Sequence, residues 1–297
     1  MHVPTGREMV WKVTNYGGMS EKERQQLYNE VKILREIKAD YIVRCFDKFV
    51  DKENTSIYLV MEYCKGGDLA QLITRQRDSR QLIAEDFVWR IFTQTVLALY
   101  ECHRRKNKQV ILHRDLKPSN IFLDEKNDAK LGDFGFAKTL GRAGSGEDYA
   151  QTNLGSPYYM SPEQCNGQDY NEKSDIWSLG VVLYEMAALS PPFMATNQLS
   201  LALKIKEGAF KRVPAQFSEE LNRVIKWMLQ VEPAQRPDVE DLLNLPHVSM
   251  RLRERALKRN LQHTKRKEDD VRRQEDKLRV KQEHIEAKEK ELDEREA

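Results

Sequence analysis

His113-Arg114-Asp115-Leu116-Lys117-Pro118-Ser119-Asn120 is followed by the strand-like Ile121-Phe122-Leu123, then by Asp133-Phe134-Gly135 and Ser161-Pro162-Glu163, and this stretch decides how the chain is read. A carboxylate at Asp115 can accept the proton of an attacking hydroxyl, and the ammonium of Lys117, two residues on, can meet developing negative charge. Asn120 and Asp133 offer hard oxygen ligands, the kind that Mg²⁺ takes. Gly135 lets the backbone turn sharply after Asp133. Taken singly these are weak signals, since an Asp in a loop is usually a cap or a turn residue. The whole set, in this order and spacing, points to phosphoryl transfer, in which catalysis is positioning plus neutralisation of charge on the phosphate oxygens.

Outward from that stretch the pattern changes in both directions. Towards the N-terminus, residues 8–13 alternate like a strand, and 21–38 place Leu27, Val31, Leu34 and Ile37 at helical spacing. Ser20 and Glu23 form a capping box at the start of that helix. Residues 42–50 and 56–63 read as two strands joined by the polar turn Asp51-Lys52-Glu53-Asn54, and Gly66-Gly67 ends the run. From 69 to 245 the pattern is mainly helical, with long apolar helices over 87–103 and 174–189 and shorter ones over 221–229 and 239–243. A small strand-rich part followed by a larger helical part predicts an α+β chain in two lobes. After residue 250 almost only Arg, Lys, Glu, Asp and Gln remain, without Gly or Pro, which predicts a long charged helix.

Bulk composition excludes several classes. Apolar residues make up 40% of the 297, enough for a sizeable core, and 49 basic against 47 acidic residues leave a net charge of +2. That balance provides no global field to draw in nucleic acid or a membrane surface. Cys45, Cys64, Cys102 and Cys165 are scattered without metal-like spacing and read as reduced thiols. The N-terminus has no basic and apolar leader pattern, and the longest apolar stretch, 176–189, is too short and too polar to span a bilayer. A cytoplasmic or nuclear protein is expected.

The residues Val60-Met61-Glu62-Tyr63-Cys64-Lys65-Gly66-Gly67-Asp68-Leu69, the 113–120 stretch, Lys130-Leu131-Gly132-Asp133-Phe134-Gly135, Gly155-Ser156-Pro157-Tyr158-Tyr159-Met160-Ser161-Pro162-Glu163 and Lys173-Ser174-Asp175-Ile176-Trp177-Ser178-Leu179-Gly180 resemble the NIMA-related serine/threonine protein kinases, most closely their mitotic branch. The similarity runs from about residue 6 to about residue 247. It implies the bilobal protein-kinase fold, with an N-lobe over 1–63, a C-lobe over 64–249 and the charged helix over 250–297. It also implies ATP and Mg²⁺ as cofactors, protein serine or threonine acceptors, a role in mitotic or cell-cycle control, and a place at the centrosome or spindle pole. By position, Lys12 would hold the α- and β-phosphates and Glu30 would be its ion-pair partner. Met61 would be the gatekeeper, Glu62 and Cys64 would offer backbone hydrogen bonds to adenine, Asp68 would touch the ribose, and Phe122 would form the floor under the base. Asp115 and Lys117 would be catalytic, with Asn120 and Asp133 on the metal. Leu34, Phe46, His113 and Phe134 would form the apolar stack joining the lobes. Glu163 and Arg236 would form a buried ion pair, and Asp175 would brace the catalytic loop. Arg114 beside Asp115 implies control by loop phosphorylation, with Thr152, then Ser156 and Ser145, as the candidate acceptors.

The chain departs from that pattern in places. Ser156 stands where most of the family has Thr. Phe136 follows Asp-Phe-Gly where Leu is usual, which by resemblance goes with preference for serine acceptors. No Gly-x-Gly-x-x-Gly precedes Lys12, so the family's first two strands and phosphate-covering loop are not in the sequence, and the strand bearing Lys12 is expected at a sheet edge. The chain is read as N-terminally truncated, because every catalytic side chain downstream is intact; the alternative is an impaired, kinase-shaped binding module. In the tail, Leu257, Val271, Leu278, Ile285 and Leu292 share a heptad position, but the companion seam holds Leu261, Glu268, Glu275, Gln282 and Glu289. A homodimer through 250–297 is expected by resemblance, and a lone charged helix held by i,i+4 pairs is the other reading.

Overall fold

The computed structural model describes residue 6 and residues 8–104, 110–135, 137–140 and 157–296. Thr152, Ser156, Ser145 and Phe136 therefore lie outside the described residues. Two compact units are present, Met1–Leu245 and Pro246–Ala297.

The first unit opens with β1 (Met9–Asn15), α1 (Glu21–Glu36), β2 (Cys45–Asp51) and β3 (Ser56–Glu62). These strands form an antiparallel sheet in the order β1-β3-β2. Lys12 lies opposite Leu59, and Val10 opposite Met61. Among the described residues β1 pairs only with β3, so it is an edge strand, as the sequence predicts. The capping box of α1 also forms. The Ser20 amide donates to Glu23 Oε2 at 2.7 Å, and the Glu23 amide donates back to Ser20 Oγ at 3.4 Å. The helix buries Glu30, Val31, Ile33 and Leu34, placing one carboxylate on an otherwise apolar face.

The strand predicted over 42–50 is shorter than expected. Its first residues leave the sheet and bond to a different element. Ile42 bridges Leu131 in parallel, the Val43 amide donates to the Leu131 carbonyl at 2.9 Å, and the Leu131 amide donates to the Tyr41 carbonyl at 2.8 Å. Phe46 sits at a bulge, where the register of β2 against β3 shifts between Cys45 and Asp47.

The turn between β2 and β3 carries strain. Thr55 has φ +46°, a left-handed conformation that a β-branched side chain resists. Its carbonyl accepts the Tyr16 amide at 2.8 Å, which holds it there. Thr55→Gly is expected to raise stability by about 0.5–1 kcal/mol, read as a higher thermal midpoint; an unchanged or lower midpoint would count against strain at this turn.

The rest of the unit continues through β4 (Gly67–Asp68), α2 (Leu69–Asp78), α3 (Glu85–His103), β5 (Val110–Leu112), β6 (Ile121–Leu123), β7 (Ala129–Leu131), β8 (Lys138–Leu140), α4 (Pro162–Cys165), α5 (Glu172–Ala188), α6 (Gln198–Glu207), α7 (Glu219–Met228) and α8 (Val239–Leu243). Two small sheets, β4-β6-β7 and β5-β8, sit on this helical body. Nearly all of α5 is buried, as the apolar run over 174–189 predicts, and α3 contributes Trp89, Phe92 and Leu99 to the same core. Glu163 and Arg236 meet there. Arg236 Nη1 and Nη2 donate to the two carboxylate oxygens of Glu163 at 2.8 Å each, Ser174 Oγ donates to Oε1 at 2.6 Å, and the guanidinium lies 4.9 Å from the Trp177 ring.

The second unit is one helix, α9 (Pro246–Glu296). It starts earlier than the predicted boundary at 250, with Pro246 at its first position, where a missing N–H costs nothing. At 1.5 Å per residue its 51 residues span about 77 Å. Leu257, Leu261, Val271, Leu278 and Ile285 are all exposed, and Arg279 pairs with Asp276 at 3.1 Å and Glu283 at 4.0 Å. The side chains of Glu289 and Leu292 lie outside the described residues. Among the described residues no helix is long and apolar enough to cross a membrane.

Candidate active site

Three elements bring the predicted residues to one place. β1 presents Lys12 on the face that also carries Val10, because side chains alternate along a strand. α1 presents Glu30. The turn after β7 presents Asp133, in a left-handed conformation with φ +55°. Lys12 Nζ lies 2.6 Å from Glu30 Oε1 and 3.0 Å from Asp133 Oδ1. Burial by itself would lower the pKa of this ammonium, but the two carboxylates raise it above its ordinary value. Burial would likewise raise Asp133, and the Lys12 charge overrides it and holds the carboxyl below the usual range.

The catalytic-loop residues form a second, adjoining cluster. Lys117 Nζ is 2.7 Å from Asp115 Oδ2, and Asn120 Nδ2 donates to the same oxygen at 2.9 Å and to the Asp115 carbonyl at 2.8 Å. With the amide nitrogen of Asn120 so engaged, its Oδ1 is the oxygen left for a cation. The Gly132 amide donates to the Asn120 carbonyl at 2.9 Å, which ties this cluster to the turn carrying Asp133. Among the described residues no group of three His, Cys, Asp or Glu side chains could hold a metal. A Mg²⁺ site needs only one or two protein oxygens and is completed by phosphate and water. The donor set of Asn120 and Asp133 therefore fits this ion.

A cavity of about 400 Å³ is lined by the first cluster, Lys12, Glu30 and Asp133, together with Met61, Glu62, Cys64, Asp68 and Phe122, while Asp115, Lys117 and Asn120 do not line it. Its volume suits a small ligand. Val10, Val43, Tyr63, Gly67 and Gln71 also line it, although the sequence assigns none of them a role at the site. The alternation of β1 about Lys12 could have found Val10; Val43 carried no signal beyond that of a core residue. Phe122 approaches the backbone so closely that a Cβ on Gly132 would meet its ring at 2.8 Å, which explains the glycine. Burial pushes the Cys64 thiol up to about 12, so this side chain stays a thiol at physiological pH. Asp68 has a second task, because its Oδ1 accepts the Gln71 amide at 2.9 Å as the N-cap of α2.

The support around the loop is more extensive than the sequence suggested. Asp175 is fully buried and accepts the amides of His113 at 3.0 Å and Arg114 at 3.1 Å. It also bonds Tyr170 Oη at 2.5 Å and His103 Nε2 at 2.8 Å, two partners that no motif announced. These bonds hold Arg114 at φ +68°, a conformation it would not otherwise favour. Of the expected apolar stack, the His113 and Phe134 rings meet edge-on at 4.9 Å; Leu34 is buried and Phe46 is half-buried.

Residues 1–248 match the family described as the protein kinase domain. Among curated proteins, the serine/threonine-protein kinase Nek2 of Homo sapiens is 53% identical over 82% of this chain and 54% of its own length. The probable serine/threonine-protein kinase nek2 of Dictyostelium discoideum is 50% identical over 85% of this chain and 59% of its own. The G2-specific protein kinase nimA of Emericella nidulans is 41% identical over 87% and 40%. The chain thus spans about half the length of the curated relatives it matches.

Proposed function

This chain belongs to the protein kinase family and, within it, to the NIMA-related serine/threonine kinases, and from that premise we propose that it transfers the γ-phosphoryl group of ATP to serine or threonine hydroxyls of other proteins in the control of the cell cycle. The observation that carries this reading is the contact of Lys12 with both Glu30 and Asp133, beside a catalytic loop whose Asp115, Lys117 and Asn120 are already hydrogen-bonded to one another.

Each residue then has a task. Lys12, fixed by Glu30, faces the α- and β-phosphates. The backbone at Glu62 and Cys64 meets the adenine edge between Val10 above and Phe122 below, and the second carboxylate oxygen of Asp68 reaches the ribose. Asn120 Oδ1 and Asp133 would hold Mg²⁺, which when bound would supply positive charge against the phosphate oxygens. Asp115 orients the acceptor hydroxyl and takes its proton, and Lys117 stands by the transferred group.

The division into an N-lobe over 1–63, a C-lobe over 64–249 and a tail over 250–297 belongs to the same proposal. So do a site of action in the cytoplasm or nucleus, including the centrosome or spindle pole, and switching by a phosphate on Thr152, Ser156 or Ser145 that pairs with Arg114. The tail is proposed to join two copies through its Leu257–Val271–Leu278–Ile285 stripe.

The test is transfer of labelled γ-phosphate to a generic protein acceptor in the presence of Mg²⁺, with phosphoserine and phosphothreonine as the expected products. Nucleotide binding without any transfer would instead favour a kinase-shaped binding module. For the tail, sedimentation of the whole chain at micromolar concentration is expected to show a dimer that 250–297 deletion abolishes; a monomer in both cases ends the dimer proposal.

A further inference from the structure

The family resemblance gives Glu62 a role only through its backbone, yet its side chain has two engagements of its own. Oε1 lies 2.8 Å from Lys130 Nζ, and Oε2 accepts the Arg44 amide at 3.1 Å. Glu62 ends the sheet strand β3, and Arg44, just before β2, is held to it by the Glu62 amide donating to the Arg44 carbonyl at 2.9 Å, whereas Lys130 belongs to β7 on the helical body. The pair therefore crosses from one part to the other. It adjoins two of the places where the two parts are joined, apart from the Lys12–Asp133 pair across the cavity. One is the chain itself after Glu62, where the Gly66 amide donates to the Leu123 carbonyl at 2.9 Å; the other is the bridge of Tyr41 and Val43 to Leu131, next to Lys130.

The same residues form a shared wall. Glu62 lines both the cavity of about 400 Å³ and a larger one of about 760 Å³, which Arg44 and Lys130 also line. Lys130 lies opposite Phe122 in the β6–β7 register, so the ammonium is one strand position from the floor of the first cavity. The side chains of Lys130 and Glu62 are only 14% and 26% exposed. The pair is thus better shielded than an ordinary surface ion pair, whose contribution is small.

We propose that Glu62 and Lys130 form a clamp across the hinge that limits how far the β1-β3-β2 sheet swings away from the helical body, and so sets the rate at which nucleotide leaves the cavity. The two are positioning residues: they act through the hinge and need not touch the reacting atoms. The kinetic half of the proposal rests on the nucleotide-binding reading above. The mechanical half rests only on the contacts just described. Opening the sheet must stretch the Lys130 link, while the Arg44 amide keeps the carboxylate aimed at it.

The experiment compares wild type with Lys130→Met, Glu62→Gln, the double variant and Lys130→Arg. Dissociation of a fluorescent ADP is followed by stopped flow, and amide hydrogen exchange is measured at Val43 and Leu131 against the core of α5. Each charge-removing variant is expected to release nucleotide roughly fivefold faster, the rate equivalent of losing one part-shielded ion pair. The double variant should be no faster than the quicker single one, and Lys130→Arg should stay near wild type. Exchange at Val43 and Leu131 should speed up while α5 does not change. Unaltered exchange at Val43 and Leu131 would overturn the clamp, as would release rates that multiply in the double variant or faster exchange throughout the protein. If wild type binds no nucleotide, the functional reading fails, and the exchange measurement still decides the clamp.

Discussion

Asp115→Asn is expected to lower the rate of phosphoryl transfer by about 10²–10⁴-fold, the usual contribution of a positioned general base, while nucleotide affinity changes little. The substitution keeps the shape of the side chain. Its Oδ2 is held by Lys117 at 2.7 Å and Asn120 at 2.9 Å, so the loop has two groups that fix the orientation of whatever stands at 115. What is lost is the negative charge that receives the acceptor's proton. Lys12 and Asp133 lie in the adjoining cluster and do not bond Asp115, so the nucleotide side of the site should not register the change. Steady-state kinetics on a peptide acceptor, paired with a direct measurement of nucleotide binding, separates the two. A rate within threefold of wild type would remove Asp115 from the chemistry.

The largest effect on stability is expected at Arg236. Arg236→Ala leaves Glu163 buried without its bidentate partner, and breaking a buried pair from one side costs about 3–5 kcal/mol. Here the cost should fall in the upper part of that range, because Arg236 also donates to the carbonyls of Gln230, Lys173 and Val231. pH gives an independent check. Burial alone would raise the Glu163 carboxyl, but Arg236 and Ser174 hold it below its ordinary value of 4.5. A depressed carboxyl contributes stability above its unfolded value, and that stability is lost as pH falls through the lower, folded value. Wild type should therefore lose stability on acidification below about pH 4.5. In Arg236→Ala the orphaned carboxyl is raised instead, so the gap between variant and wild type should narrow in acid. Denaturant titrations at neutral pH and at pH 4 read both effects; a loss under 1 kcal/mol, or a gap that widens in acid, contradicts this account of the pair.

Much of this architecture could be read from the chain because its chemistry is local. The 113–120 stretch forms one loop, and Asp115, Lys117 and Asn120 contact one another within five residues. The α1 capping box needs only Ser20 and Glu23. Pairing of Lys12 with Glu30 was legible through family resemblance, since a lone strand lysine carries no such signal. What the chain did not reveal depends on distance in sequence. Ile42 and Val43 look like the start of a strand but bond to Leu131, because the partner that takes their backbone groups lies almost ninety residues on. His103 and Tyr170 read as ordinary helix and loop residues and become legible only once Asp175 is seen buried between them. The Glu62 side chain was overlooked for the same reason, its partner Lys130 being on another sheet.

The central claim is that Lys12, Asn120 and Asp133 converge on one nucleotide and one cation. Calorimetric titration of the protein with ATP, with Mg²⁺ and with EDTA, tests it most directly when repeated on Asp133→Asn. Tight binding that needs Mg²⁺ in wild type, and that loses its Mg²⁺ dependence in the variant, is the predicted result. Binding that ignores Mg²⁺ in both proteins, or an Asp133→Asn protein indistinguishable from wild type, would contradict it.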